Sequence, residues 1–321
     1  MKKNVLMLGL AAIAFTACTN EEVTHFAENR AIGFDTFVGK NTKAVTEMNT
    51  TVLQTGGFYV WGGYDTDTDI FAGTQVTYTN DKWEYTPLQY WENGKMYKFA
   101  AFSADVTSAT PTFNYDDGHV DLTSYTADIN NPVDLVYAHP TNAITAKASG
   151  NQAVQLSFGH VLSWVKLTFI NGFADGTTLT ISDITVEGVK TTAAFTDGAF
   201  STPETDANMT PVAFEAMTTN QDTKTTDFTA IPQAIASFVI KFKISVTTAG
   251  GTTLADDVEK TATIANQTWA ANNIYEYKAT IDGATIGAEA ITFDPSVTKW
   301  GDTTTVDNTT ENSGMHIASV E

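Results

Sequence analysis

The chain has 321 residues, 37 of them acidic and 17 basic, for a formal net charge of −20. This balance excludes nucleic acid as a partner, because gripping a phosphate backbone needs cations that release its counterions, and a single arginine, Arg30, builds no guanidinium clamp. The single cysteine excludes an intramolecular disulfide and a Cys-based metal centre, so the fold must stand on its apolar core.

In chain order, the first predicted element is a leader. Met1-Lys2-Lys3 is a short basic start, and Val5 to Phe15 is an apolar run too short to span a bilayer. It ends in Phe15-Thr16-Ala17-Cys18, where small residues precede the thiol. This spells a lipoprotein signal peptide over residues 1–17, with acylation at Cys18. Each acyl methylene buried in a leaflet contributes ~0.8 kcal/mol, so the expected membrane partner is outer-membrane lipid, held through Cys18. Residues 18–30 then read as a linker. Its Glu21-Glu22 pair is either a solvated charge run or a signal for surface export.

From residue 31 the pattern is that of an all-β protein of sandwich type: β-branched and aromatic residues dominate and turn residues recur at short intervals. Ala31 to Val38 alternates, with Ile32, Phe34, Thr36 and Val38 on one face. Gly57 to Gly62 is an aromatic strand, and Val76 to Tyr85 is a hairpin turning at Asn80-Asp81. Met96–Phe102 and Asp134–Ala138 are further strands. A second series starts near Ala153. Val161 to Ile170 is almost continuously apolar, as suits a strand buried on both faces. Leu179–Val189, Ala193–Phe200, Ala236–Val246, Lys260–Ile264 and Ile274–Ile281 follow. The expected division is one sandwich domain over 31–152, another over 153–300, and a polar tail over 301–321 in which Met315–Val320 has the make-up of a short terminal strand.

No catalytic signature is present: no Gly-x-Ser-x-Gly, no His-Glu-x-x-His and no phosphate-binding glycine loop. The five histidines are scattered, and His160 between apolar strands reads as structural. An enzyme is not expected, nor a cofactor. Asp65, Asp67 and Asp69 alternate in a loop; they are either weak Ca²⁺ ligands or, lacking the glycine turn and the distal glutamate, a solvated acidic loop. Trp61, Tyr64, Trp83 and Trp91 are dense enough for a sugar-stacking platform, and such clusters also arise as core packing. Asp302-Thr303-Thr304 has the form of an O-glycosylation site.

The leader ending at Cys18, the strand Ala31–Val38 and Thr42-Lys43-Ala44 after it resemble the fimbrillin family, the type V pilus subunits of Bacteroidetes. So do Gly57-Phe58-Tyr59-Val60-Trp61, Tyr97–Phe102, Asp134–Ala138, Leu156–Ser163 and a closing Trp300. The resemblance implies two tandem transthyretin-like β-sandwiches. It also implies a lipoprotein precursor, cut after a basic residue behind the first strand. That strand leaves, and a strand from the next subunit replaces it by β-strand addition. Lys43, with Ala44 as the new N-terminus, matches this site best; Lys40 and Arg30 are the other cations, and a cut at Arg30 would leave the strand in place. Equally, these are surface cations that are never cleaved. The implied partners are other pilus subunits; the aromatic cluster, if it is a platform and not core, adds host or bacterial surface glycans. The implied location is the outer membrane surface, or the fimbrium after processing. The alternative role is an anchored glycan-binding lipoprotein, or a pilus anchor or tip that does not polymerise.

Overall fold

The structure, a computed structural model, describes residues 30–38, 48–65, 68–287 and 289–300, and the short strands 305–306 and 317–318. Alternation of apolar and polar residues at period two sets most of its elements. The first half holds β1 (Phe34–Val38), the helix α1 (Thr50–Gly56), β2 (Phe58–Tyr64), β3 (Thr68–Thr79), β4 (Lys82–Glu84) and β5 (Met96–Phe102). Then come β6 (Pro111–Phe113), β7 (Val120–Thr126), β8 (Val136–Ala138), β9 (Ile144–Thr145) and β10 (Val154–His160). The second half has β11 (Ser163–Asn171), β12 (Thr178–Glu187), β13 (Val189–Thr196), β14 (Ala199–Phe200), β15 (Glu204–Ala207) and β16 (Thr223–Ala230). It continues with β17 (Gln233–Thr247), β18 (Thr253–Trp269), β19 (Asn273–Ile281), β20 (Asp294–Lys299), β21 (Thr305–Val306) and β22 (Ile317–Ala318).

The strands form four sheets. The first runs β1-β10-β8-β5-β2-β3-β4, with β9 on β5, and the second runs β14-β13-β7-β6, with β15 on β13. The third is β16-β11-β19-β20-β21, and the fourth β12-β17-β18-β22. Most pairs are antiparallel; β1 on β10 and β11 on β19 are parallel. The first sheet is packed on both faces. One face gathers Phe34, Phe58, Phe71, Phe99 and Trp91. The other presents Trp61, Phe102 and Tyr137 to Leu122 and Phe195 of the second sheet. The third and fourth sheets enclose the largest core, around Phe169, Phe238 and Trp269. Gly62 makes room for its cross-strand partner in the same sheet: a Cβ there would meet the Phe99 ring at 2.5 Å and the Lys98 carbonyl at 2.8 Å.

The all-β reading holds, and several details follow the sequence closely. The hairpin turns at Asn80 and Asp81, both with positive φ, as a tight two-residue turn requires. Buried positions fall on both faces of β11. Two placements differ. Val154–His160, expected at the head of the second series, lies between β1 and β8 in the first sheet. Ala193–Phe200, also expected there, pairs through β13 with β7 of the first half. Alternation marks which side of a strand is apolar and is silent on which sheet receives it. Phe195 settles the second case by packing on Phe102 and Tyr137. The helix α1 was also missed, although Asn49 at its N-cap accepts from the amides of Thr51 and Val52 (2.9 and 3.0 Å) and Gly57 ends it at φ 77°.

Candidate functional site

Among the described residues β1 is an edge strand whose one β neighbour is β10, in the register Phe34↔Val154 to Val38↔Phe158. Its alternation becomes a buried face: Ile32, Phe34 and Val38 are buried, while Phe37 on the opposite face is 55% exposed. Phe34 fills an aromatic seat, with the rings of Phe58, Phe71, Tyr85 and Phe99 at 5.5–6.0 Å. At roughly 1.5–3 kcal/mol for each fully buried apolar side chain, these three residues contribute about 5–9 kcal/mol of gross burial. The walls of this seat belong to β2, β3 and β5 and the segment after β4.

Polar contacts hold the start of the strand. The Ile32 amide donates to the Gln89 carbonyl (2.8 Å), and the Tyr85 hydroxyl donates to the Ile32 carbonyl (2.7 Å). Burial pushes the Tyr85 phenol up to about 12, so it stays a donor at ordinary pH. Arg30 is exposed; its carbonyl accepts from the Trp91 amide at 3.0 Å, and its Nη2 donates to the Trp91 carbonyl at 3.5 Å. Cys18, Lys40, Lys43 and Ala44 lie outside the described residues, as do Glu21, Glu22 and Asp302 to Thr304.

Where the chain re-enters at Met48, it is tied down at once. The Met48 amide donates to Asp134 Oδ2 at 2.5 Å, and Asp134 Oδ1 lies 2.9 Å from His160 Nδ1, both side chains being buried. His160 in turn stacks on Trp300 (4.3 Å between centroids, planes 10° apart), and Trp300 leans on Trp164. This cluster joins the segment behind β1 to both halves of the molecule. Sequence reasoning found a structural His160 and missed Asp134, which lies 26 residues away with no local pattern to pair them.

The sugar-stacking candidates do not share one surface. Trp61 and Trp91 are buried, at 4% and 2% exposure, in cores on opposite faces of the first sheet. Tyr64 is half-buried, packs edge-on to Tyr97 and donates to Glu92 Oε1 at 2.9 Å, with Lys95 over its ring. Trp83 alone of the four lines a cleft beside β1. Of the three alternating aspartates, Asp65 pairs with Lys95 at 2.5 Å and Asp69 accepts from the Tyr115 hydroxyl, while Asp67 lies outside the described residues. Among the described residues no group of three or more His, Cys, Asp or Glu side chains gathers around a metal position, and no helix is long and apolar enough to cross a membrane.

A family model described as fimbrillin-like matches residues 38–300. Among solved structures, the chain is similar to a candidate cell adhesion protein from Bacteroides ovatus at 13% identity and a TM-score of 0.54, covering 85% of this chain and 98% of that one. It is similar to another from Bacteroides eggerthii at 10% identity and a TM-score of 0.50, covering 85% and 97%. The fimbrial anchor protein Mfa2 of Porphyromonas gingivalis aligns at 10% identity and a TM-score of 0.35, covering 85% and 98%. No curated protein matches.

Proposed function

We propose, for a chain that belongs to the fimbrillin-like family, the role of a pilus or adhesion subunit of the cell surface. Its finer workings are as follows. The precursor is exported as a lipoprotein acylated at Cys18 and held on the outer membrane. A protease cuts after Lys43, β1 leaves with the leader segment, and a strand from another subunit enters the aromatic seat.

The observation that carries this reading is the construction of β1. It is an edge strand with a strongly apolar inner face, and its seat is built from other strands. Removing it would expose apolar side chains together with the unpaired backbone edge of β10, which is the surface that strand addition requires. Two cations, Lys40 and Lys43, follow within five residues of its end. Head-to-tail contacts of this kind propagate into filaments. The tie from Met48 to Asp134 supports the same cut, because it anchors the chain just beyond Ala44 while β1 departs.

The test is N-terminal sequencing with intact mass on protein shed from the cell surface. A chain beginning at Ala44, without Cys18 and its lipid, is expected, and Lys43→Gln should block its appearance. An acylated Cys18 on every molecule would remove the shaft-subunit role and leave an anchor or a monomeric surface protein.

A further inference from the structure

We propose that the cleft between the outer edge of β1 and the β3–β4 hairpin binds a neutral carbohydrate. Its volume is about 540 Å³, inside the roughly 300–1,000 Å³ range of small-ligand sites. Trp83 supplies the aromatic wall. Phe58 (4.9 Å) and Tyr78 (5.0 Å) pack against it at steep angles and fix the indole, which stays half-buried with part of its surface on the cleft. A fixed indole plane is the surface on which the C–H face of a sugar ring stacks.

The opposite lip is polar and already organised. Asp35 and Gln155 are cross-strand partners, and Gln155 Nε2 donates to Asp35 Oδ2 at 2.9 Å. That bond orients both side chains. It leaves the second carboxylate oxygen of Asp35 and the amide oxygen of Gln155 as acceptors at the rim, with little ordering left to do on binding. Gln54 of α1 and Lys82 of the hairpin add donors. A sugar presents this same combination, one apolar face and a ring of hydroxyls.

Charge narrows the class. Asp35 and Asp81 outnumber the one ammonium, Lys82, so a sialylated or sulfated glycan would meet net repulsion. A free strand edge also invites an extended peptide. Such a peptide would be read through its backbone and would leave both the indole platform and the Asp35–Gln155 pair without a role. Because Gly33 to Thr36 form one wall, the site belongs to chains that retain β1. Strand exchange would remove that wall, and the two readings are tested apart: exchange from the N-terminus and mass, sugar binding on the full chain.

The experiment uses the full chain on sensor surfaces carrying mannan, β-glucan or poly-N-acetyllactosamine, with sialylated lactosamine as the acidic control. Retention on at least one neutral polymer and not on the sialylated one is expected. Trp83→Ala and Gln155→Ala should each weaken it about tenfold or more, equivalent to about 1.4 kcal/mol. Trp83→Phe should keep most of it, and Tyr64→Ala should leave it unchanged. Gln155 is exposed, so its variant keeps the test valid even if Trp83→Ala unfolds. The proposal fails if no neutral polymer is retained, or if Gln155→Ala has no effect. It also fails if a synthetic peptide of residues 31–38 binds more tightly at the same side chains, which would make the cleft a strand-addition site.

Discussion

Phe34 and Phe37 sit three positions apart on one strand and have opposite fates. Phe34 is buried among four rings, and Phe37 is more than half exposed. Phe34→Ala should therefore cost about 3–5 kcal/mol of stability, and Phe37→Ala less than about 0.5 kcal/mol. Urea melts of the two variants, run together, test the assigned face of β1: equal costs would mean the strand is seated the other way round. At the tie behind the strand, Asp134→Ala leaves the Met48 amide and a buried His160 nitrogen without their acceptor. The expected loss is about 1–3 kcal/mol, together with faster amide exchange at residues 48–53. Protection at those amides equal to wild type would show that Asp134 does not hold the segment.

At the scale of the element, β1 is held unevenly. Ile32, just before it, is fastened by the Gln89 carbonyl and the Tyr85 hydroxyl, whereas Phe34 to Thr36 border the open cleft. Tyr85→Phe removes the donor to the Ile32 carbonyl and should cost about 1 kcal/mol. Exchange should rise over residues 31–38 while β2 and β5 stay protected. A uniform rise across the first sheet would mean that Tyr85 supports the core generally and not this strand. The hairpin beside it turns through Asn80 at φ 51° and Asp81 at φ 60°, a conformation that Asn and Asp tolerate better than other non-glycine residues.

The whole molecule has a stability window set by its buried phenols. Burial raises Tyr85 to about 12 and pushes Tyr137 and Tyr277 higher still. In the unfolded chain these groups ionise near the ordinary value of 10. Between that value and the raised ones the native state binds more protons than the unfolded state, so stability falls as pH rises. The contribution is complete below pH 10 and is lost progressively above it. Urea midpoints should hold steady up to about pH 9.5 and drop by about pH 11, with part of the phenolate absorbance appearing only on unfolding. Full phenolate absorbance from a still-folded chain would contradict the burial of these rings.

Some of this was legible in the sequence, and the reason is local. Period-two alternation reports which side of a strand is apolar, so the all-β class, the inner face of β1 and the two-faced burial of β11 could be read directly. Turn chemistry at Asn80-Asp81 is equally local. The Asn49 cap and the Gly57 stop of α1 were present in the sequence, but a seven-residue helix carries too little periodicity to stand out. The tertiary structure alone decided partnership. It put β10 beside β1, carried β13 across to β7, and brought Asp134, His160 and Trp300 together from positions far apart in the chain. It also separated four aromatics that look alike in the sequence, placing Trp61 and Trp91 in cores and Trp83 on a cleft. Strand partners are chosen by packing between residues distant in sequence, and that energy leaves no mark on either segment by itself.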